Sequence, residues 1–300
     1  MSGSQASRGP ASRGTQRLSA NLRLMQEPIV NARNFFYFKI ALILIGVSGL
    51  LYLIHSPLGG PSGGSWLGYS LGAVSAGLIA WLAWFGVRKR RYGLGTVPLH
   101  EWLSAHVYLG LSLIVLATLH SAFQTGWNVH TLAYVLMLIV IVSGIVGLYL
   151  YICLPIKMSE NRGSMTLDEL MALTSEIDNT CLGLGMKLGD EVNTLVHEAA
   201  NDTRVGGGLG TQLRGVDRAC PTAKALDRIS ALARALPRQE AETGRQLVLL
   251  LARKNEMLRV ARRDVQYRAW LNVWLLFHVP ATIGLLVALA IHIFSVFFYW

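Results

Sequence analysis

The chain has 300 residues, of which 52% are apolar and only 15% charged, and its mean hydropathy is positive at +0.42. That balance is far from the soluble globular average and points to a membrane protein. The formal net charge of +10 would suit nucleic acid, but the basic residues sit where a membrane topology needs them, so no nucleic-acid partner is expected.

Residues 1–34 form an arm rich in Ser, Arg, Gly and Ala, expected to be disordered or partner-bound. No small-residue cleavage site lies near the start, and the apolar run that follows is too long for a signal peptide, so it reads as a retained helix. Five stretches reach the roughly 20 apolar residues needed to cross the hydrocarbon: about 36–55, 66–87, 101–123, 131–154 and 269–298. Arg8, Arg13, Arg17, Arg23 and Arg33 precede the first, and Arg88-Lys89-Arg90-Arg91 lies between the second and third. The loops 56–65 and 124–130 contain neither Lys nor Arg. The positive-inside rule then makes the N-terminus, the 88–100 loop and the 155–268 segment cytoplasmic, with the C-terminus outside. A multi-pass protein of a bacterial-type inner (plasma) membrane is expected, with the lipid bilayer as its first partner.

The 155–268 segment carries seventeen Lys/Arg against fifteen Asp/Glu, so it is nearly neutral and reads as a helical, water-facing insertion. Thr166 three residues before Glu169 is a capping-box pattern that starts a helix. A second helix is expected over about 190–200, a glycine-rich loop over 204–215, and further helix near Pro221 and after Pro237. From about residue 240 the apolar positions Leu247, Leu250, Leu251 and Leu258 continue into the fifth span, so one long helix is expected, with the insertion as a docking platform. The glycines from Gly183 to Gly189 lack the preceding strand of a dinucleotide fold. Cys153, Cys181 and Cys220 are too scattered for c-type haem or iron–sulfur ligation.

The chemistry rests on histidines. His106 and His120 lie in the third span and His278 and His292 in the fifth, each pair fourteen residues apart. At about 100° per residue, fourteen residues fall roughly 40° short of four turns, so both rings of a pair point the same way, about 21 Å apart along the axis. Spans three and five run in the same direction. His106 is therefore expected to meet His278 towards the cytoplasm, and His120 to meet His292 towards the outside. Neutral imidazole is a good ligand for haem iron, and two of them fill both axial positions, which suits one-electron transfer. Two haem b groups are expected, with iron held by His106/His278 in the inner and His120/His292 in the outer. No catalytic residue is assigned.

Other residues support this less specifically. Gly110 is one turn after His106, and Gly46, Gly49, Gly144 and Gly147 sit in spans one and four, where small residues also let membrane helices pack. Lys39, Arg88, Arg91 and Arg268 lie near the cytoplasmic boundary as candidate propionate partners. His100, His55 and His130 read as interfacial residues and His197 as a surface residue; a quinol-site role for His55 or His130 has no support in the sequence.

The paired H-x13-H spacing on two parallel spans, with one span between them, resembles the dihaem b-type cytochromes. These include the quinol-oxidising cytochrome b family and the ferric-reductase/NADPH-oxidase transmembrane domain. Placement on the third and fifth spans is closer to the latter. The resemblance covers about residues 36–154 and 269–298 and implies His106, His120, His278 and His292 as ligands of both haems. A sixth span has no counterpart, an insertion of over a hundred residues separates spans four and five, and no nicotinamide or flavin site is expected.

The expected fold is thus an all-α integral membrane protein. Its four helices in 35–154 and a fifth in 269–300 form a transmembrane bundle holding two stacked haems, with the helical cytoplasmic insertion 155–268 between helices four and five. The expected function is the electron-transfer subunit of a membrane oxidoreductase complex. Its partners would be other redox subunits, a quinone at one end and a periplasmic cytochrome at the other. Two alternatives are a haem-free, His-lined metal-ion transporter, which the near absence of carboxylates in the spans disfavours, and a membrane signalling protein.

Overall fold

The computed structural model describes residues 34–57, 60–90, 99–163 and 165–298, without the side chains of 87–90 and 99. The predicted disordered arm, up to residue 33, lies outside the described residues. Within them every regular element is a helix. Five are long and apolar enough to cross a membrane: α1 (Phe36–Ile54), α2 (Trp66–Arg90), α3 (Leu99–His120), α4 (Val129–Arg162) and the last part of a single 58-residue helix, α9 (Ala241–Phe298). The chain divides into two compact units. Among the described residues, one runs up to Ile152 and resumes at Val273; the other comprises Cys153–Asn272.

In the first unit the helices are apolar on nearly every side. Ile43 is 65% and Leu53 84% exposed on α1, a surface that hydrocarbon tolerates and water does not. Small residues are among the buried ones, Ala41 and Ser48 on α1, Ser75 on α2, Ala105 and Ser112 on α3, beside larger side chains such as Leu82, Leu113 and Leu116. Small residues allow close helix approach where lipid removes the usual hydrophobic drive. The serine hydroxyls bond back to their own helices, Ser75 to the Leu71 carbonyl at 2.8 Å and Ser112 to that of Leu109 at 2.7 Å, which satisfies them without a partner helix. One apolar cluster joins Ala41, Ile79, Leu82, Leu109, Met137 and Leu285, one or more from each of the five helices.

Helix ends follow local chemistry. The third span stops at His120 rather than at 123, because Ala122 and Phe123 take positive φ (47° and 60°) and turn the chain. Asn128 restarts it: its Oδ1 accepts the Thr131 N–H at 2.9 Å, an N-cap for α4. Trp274 of α9 donates Nε1–H to the Ser143 carbonyl at 2.8 Å. Its indole lies so close over Gly147 of α4 that a Cβ there would overlap the ring. Gly46 and Gly49, by contrast, face open space.

The second unit contains α5 (Leu167–Gly185), α6 (Asp190–Asn201), α7 (Leu209–Arg214), α8 (Pro221–Leu232) and the first part of α9. The capping box is present: the Thr166 hydroxyl accepts the Glu169 N–H at 3.2 Å, and Glu169 accepts the Thr166 N–H at 2.6 Å. The Thr166 hydroxyl also donates to Glu169 Oε2 at 2.9 Å, and this bond with the one from the Thr166 N–H holds the exposed Glu169 carboxyl below its usual range. Residues 204–215 are not wholly loop, since α7 forms one short helical stretch that Gly215 ends in the left-handed conformation (φ 67°). Leu247 and Leu251 of α9 pack with Ile177, Val196 and Ile229, so the long helix buries its periodic face against the insertion itself.

Charges in this unit are buried in pairs. The Lys254 ammonium, 1% exposed, binds the Asp178 carboxylate and donates to the Ala199 carbonyl at 2.7 Å. Asp264, fully buried, lies between Arg162 (3.1 Å) and Arg268 (3.2 Å). Burial and the Asp178 charge push the neighbouring Cys181 thiol up to about 11, so it stays protonated and serves as an inert core residue. Removing one member of such a pair leaves the other charged and dry. Lys254→Ala should therefore cost about 3–5 kcal/mol, read as a clear fall in the melting temperature of the full chain by circular dichroism at 222 nm. An unchanged melt would mean that Asp178 finds another partner.

Candidate metal and cofactor site

The fourteen-residue register places His106 and His120 on one face of α3, and His278 and His292 on one face of α9. Their surroundings differ. The His120 ring lies directly on Gly72 of α2, where a Cβ would sit 2.6 Å from Cε1 and 2.8 Å from Nδ1. Its Nδ1 is 2.7 Å from the Gly68 carbonyl, one turn earlier on α2. A carbonyl can only accept, so Nδ1 carries the proton and a neutral ring keeps the Nε2 lone pair free. A ring anchored through one nitrogen to a backbone carbonyl, with the other nitrogen open, is the usual preparation of a metal-ligating histidine.

His292 faces His120 with ring centres 6.2 Å apart and planes at 67°. A third imidazole joins them. His130, in the first turn of α4, has its ring centre 5.1 Å from that of His120 and 4.8 Å from that of His292. One nitrogen from each of the three lies within 4.8 Å of the others. The cluster borders a cavity of about 410 Å³ whose walls include Gly72, Ala76, Ala117, Ala133, Met137 and Leu285. Nearby, Thr118 Oγ1 and the Tyr134 hydroxyl share a 2.8 Å hydrogen bond.

The other pair is more enclosed. His278 Nδ1 is 2.6 Å from Ser143 Oγ, whose own proton goes to the Val140 carbonyl at 2.9 Å. Ser143 then accepts from Nδ1–H, and Nε2 of His278 is again the open nitrogen. The ring stacks on Trp274 (5.3 Å, 29°) and has Gly144 beside it. His106 lies against Phe85 (5.1 Å), has a buried Nδ1 without a hydrogen-bond partner, and is within electrostatic reach of His278. The 410 Å³ cavity does not extend to either ring.

The remaining candidates take no part in these clusters. His55 lies beside Trp66 (6.0 Å), His100 is half-buried on α3, and His197 is exposed on α6. Lys39 is exposed on α1, and Arg268, in the second unit, is already paired with Asp264. Arg91 and the side chain of Arg88 lie outside the described residues. His130 is the residue that sequence reasoning set aside. Its signal was present, because His130, Tyr134 and Met137 form an i, i+4, i+7 stripe that lines the cavity.

No family model, curated protein or solved structure matches the chain. The contact of His120 with Gly72 is directly testable. Gly72→Ala should displace the ring and destabilise the first unit by about 1–3 kcal/mol, seen as a lower melting temperature in detergent. Gly77→Ala on the same helix, where nothing lies within 4 Å, should leave the melt unchanged.

Proposed function

We propose that the chain is a transmembrane electron-transfer subunit carrying two b-type haems in a five-helix bundle, one ligated by His106 and His278 and the other by His120 and His292. The observation that carries the proposal is the separation of the His120 and His292 rings. Two imidazoles on opposite sides of one metal, each bonded at about 2.0–2.1 Å, have ring centres about 6 Å apart; the measured value is 6.2 Å. Three features support the fit. Nδ1 of His120 and of His278 is anchored, so that Nε2 points outward. The wall beside His120 is built of Gly and Ala, and the cavity volume of about 410 Å³ falls within the ~300–1,000 Å³ of ligand sites.

His106 with His278 and His120 with His292 would hold the haems, and the chemistry so supplied would be one-electron exchange. The chain's residues do the rest. Gly68 and Ser143 fix the ring orientations, the small residues of α2, α3 and α4 admit a flat ring, and the apolar helices keep water from it. In this reading the inner haem draws on Lys39, Arg88, Arg91 or Arg268 for its propionates; Arg268 would first have to leave Asp264. One end would meet a quinone or a cytoplasmic redox subunit docked on the insertion, and a periplasmic cytochrome would meet the other. The membrane would be a bacterial-type inner membrane, with the N-terminus inside.

The test is a pyridine haemochromogen assay with a reduced-minus-oxidised spectrum on the full chain in detergent. About two b-type haems per chain are expected, and haem-free protein from haem-replete cells overturns the proposal. His120→Ala should retain about one haem. Loss of both from a variant with native helix content would replace two sites by one.

A further inference from the structure

Three imidazoles approach one another from three helices, yet a bis-imidazole haem uses only two of them. His120 ends α3, His130 begins α4, and the connection between them, turned by Ala122 and Phe123, returns the second ring to the first. His292 closes the set from α9. The three offer nitrogen only, with one ligand atom each, all within 4.8 Å of one another. In a tetrahedral site with bonds of about 2.0–2.1 Å, neighbouring ligand atoms are about 3.3–3.4 Å apart. His130 Nδ1 and His292 Nε2 are already 3.4 Å apart, and the His120 ligand atom lies within 4.8 Å of both partners. His120 Nδ1–H on the Gly68 carbonyl is the outer-shell contact that such a site needs.

We infer that His120, His130 and His292 form a binding site for one divalent transition-metal ion of borderline softness, such as zinc. An all-imidazole donor set suits zinc, copper or nickel and excludes calcium and magnesium, which require oxygen ligands. All three rings line the cavity with Gly72 and Ala133. That space would admit water, hydroxide or an external anion as a fourth ligand, as in reactive rather than purely structural zinc sites. An anionic fourth ligand also reduces the cost of a dipositive ion beside a membrane interior. The site goes beyond the haem proposal and does not rest on it. The ion is the occupant of the chain before the outer porphyrin is in place, porphyrin between His120 and His292 displaces it, and His130, which only the ion uses, distinguishes the two states.

Cobalt(II) is the probe, because it substitutes for zinc and is coloured. The full chain is purified in detergent from haem-depleted cells and titrated with Co²⁺. Saturation at about one Co²⁺ per chain, with the intense visible bands of tetrahedral cobalt, is expected; no saturable binding overturns the inference. His130→Ala should weaken Co²⁺ binding by more than the roughly 10–100-fold that follows loss of an outer-shell partner. In haem-replete cells the same variant should keep its parental haem content, whatever that content is. Unchanged cobalt affinity, or cobalt and haem lost together, overturns the inference. His130→Cys guards against misfolding as an explanation. It restores a donor and should bind Co²⁺ with an added thiolate-to-cobalt charge-transfer band, whose absence also counts against the site.

Discussion

The register of α3 against the last part of α9 is the constraint on which the membrane unit depends. The rings of His120 and His292 face each other at 6.2 Å, and fourteen residues earlier on the same two helices stand His106, against Phe85, and His278, against Trp274. The meeting of His120 with His292 fixes the register of the two helices at that level. A shift of one residue in either would rotate its histidines by about 100° and carry them off the shared face. The small residues hold that register. Gly72 lets His120 lie on α2, and Gly147 lets Trp274 of α9 settle on α4 and reach the Ser143 carbonyl.

Solvent explains why the two units stabilise themselves differently. In the first, hydroxyls turn back to their own helices and large apolar side chains face outward, because hydrocarbon offers no hydrogen bonds and does not penalise apolar surface. In the second, apolar side chains go inward, and the charges that follow them are matched: Lys254 with Asp178, Arg162 and Arg268 with Asp264, Arg262 with Asp217. The α9 helix belongs to both and changes its composition accordingly. Leu247 and Leu251 form a narrow buried face in its first part, whereas Ile283, Val287 and Ile291 are exposed in its last.

The histidine cluster combines anchored and unanchored members. His120 is oriented by backbone, whereas His130 and His292 contact mainly each other. Under the two proposals such a set would hold a planar group between two rings or an ion among three, and the chemistry would differ in kind: electron passage at a filled coordination sphere, or Lewis acidity at an open one. All three rings line the same cavity. The second pair, packed between Phe85, Trp274 and Ser143, has no third imidazole and so no such choice.

Much of this was legible in the residues alone, because it depends on local periodicity. The five apolar stretches, the Thr166–Glu169 cap, the continuity of α9 and the equal spacing of the histidine pairs are properties of neighbours within a few turns. Sequence by itself therefore determined the long helices, though not the short α7 within the glycine-rich 204–215 stretch, which segments are apolar enough to cross a bilayer, and that two imidazoles on each of two helices share a face. Only tertiary structure decided that His130 joins His120 and His292, that α3 stops at His120, and that Lys254 meets Asp178 across 76 residues. The reason is physical. A turn conformation or an approach between distant helices is set by side-chain packing summed over many residues, and no short window of sequence contains that sum.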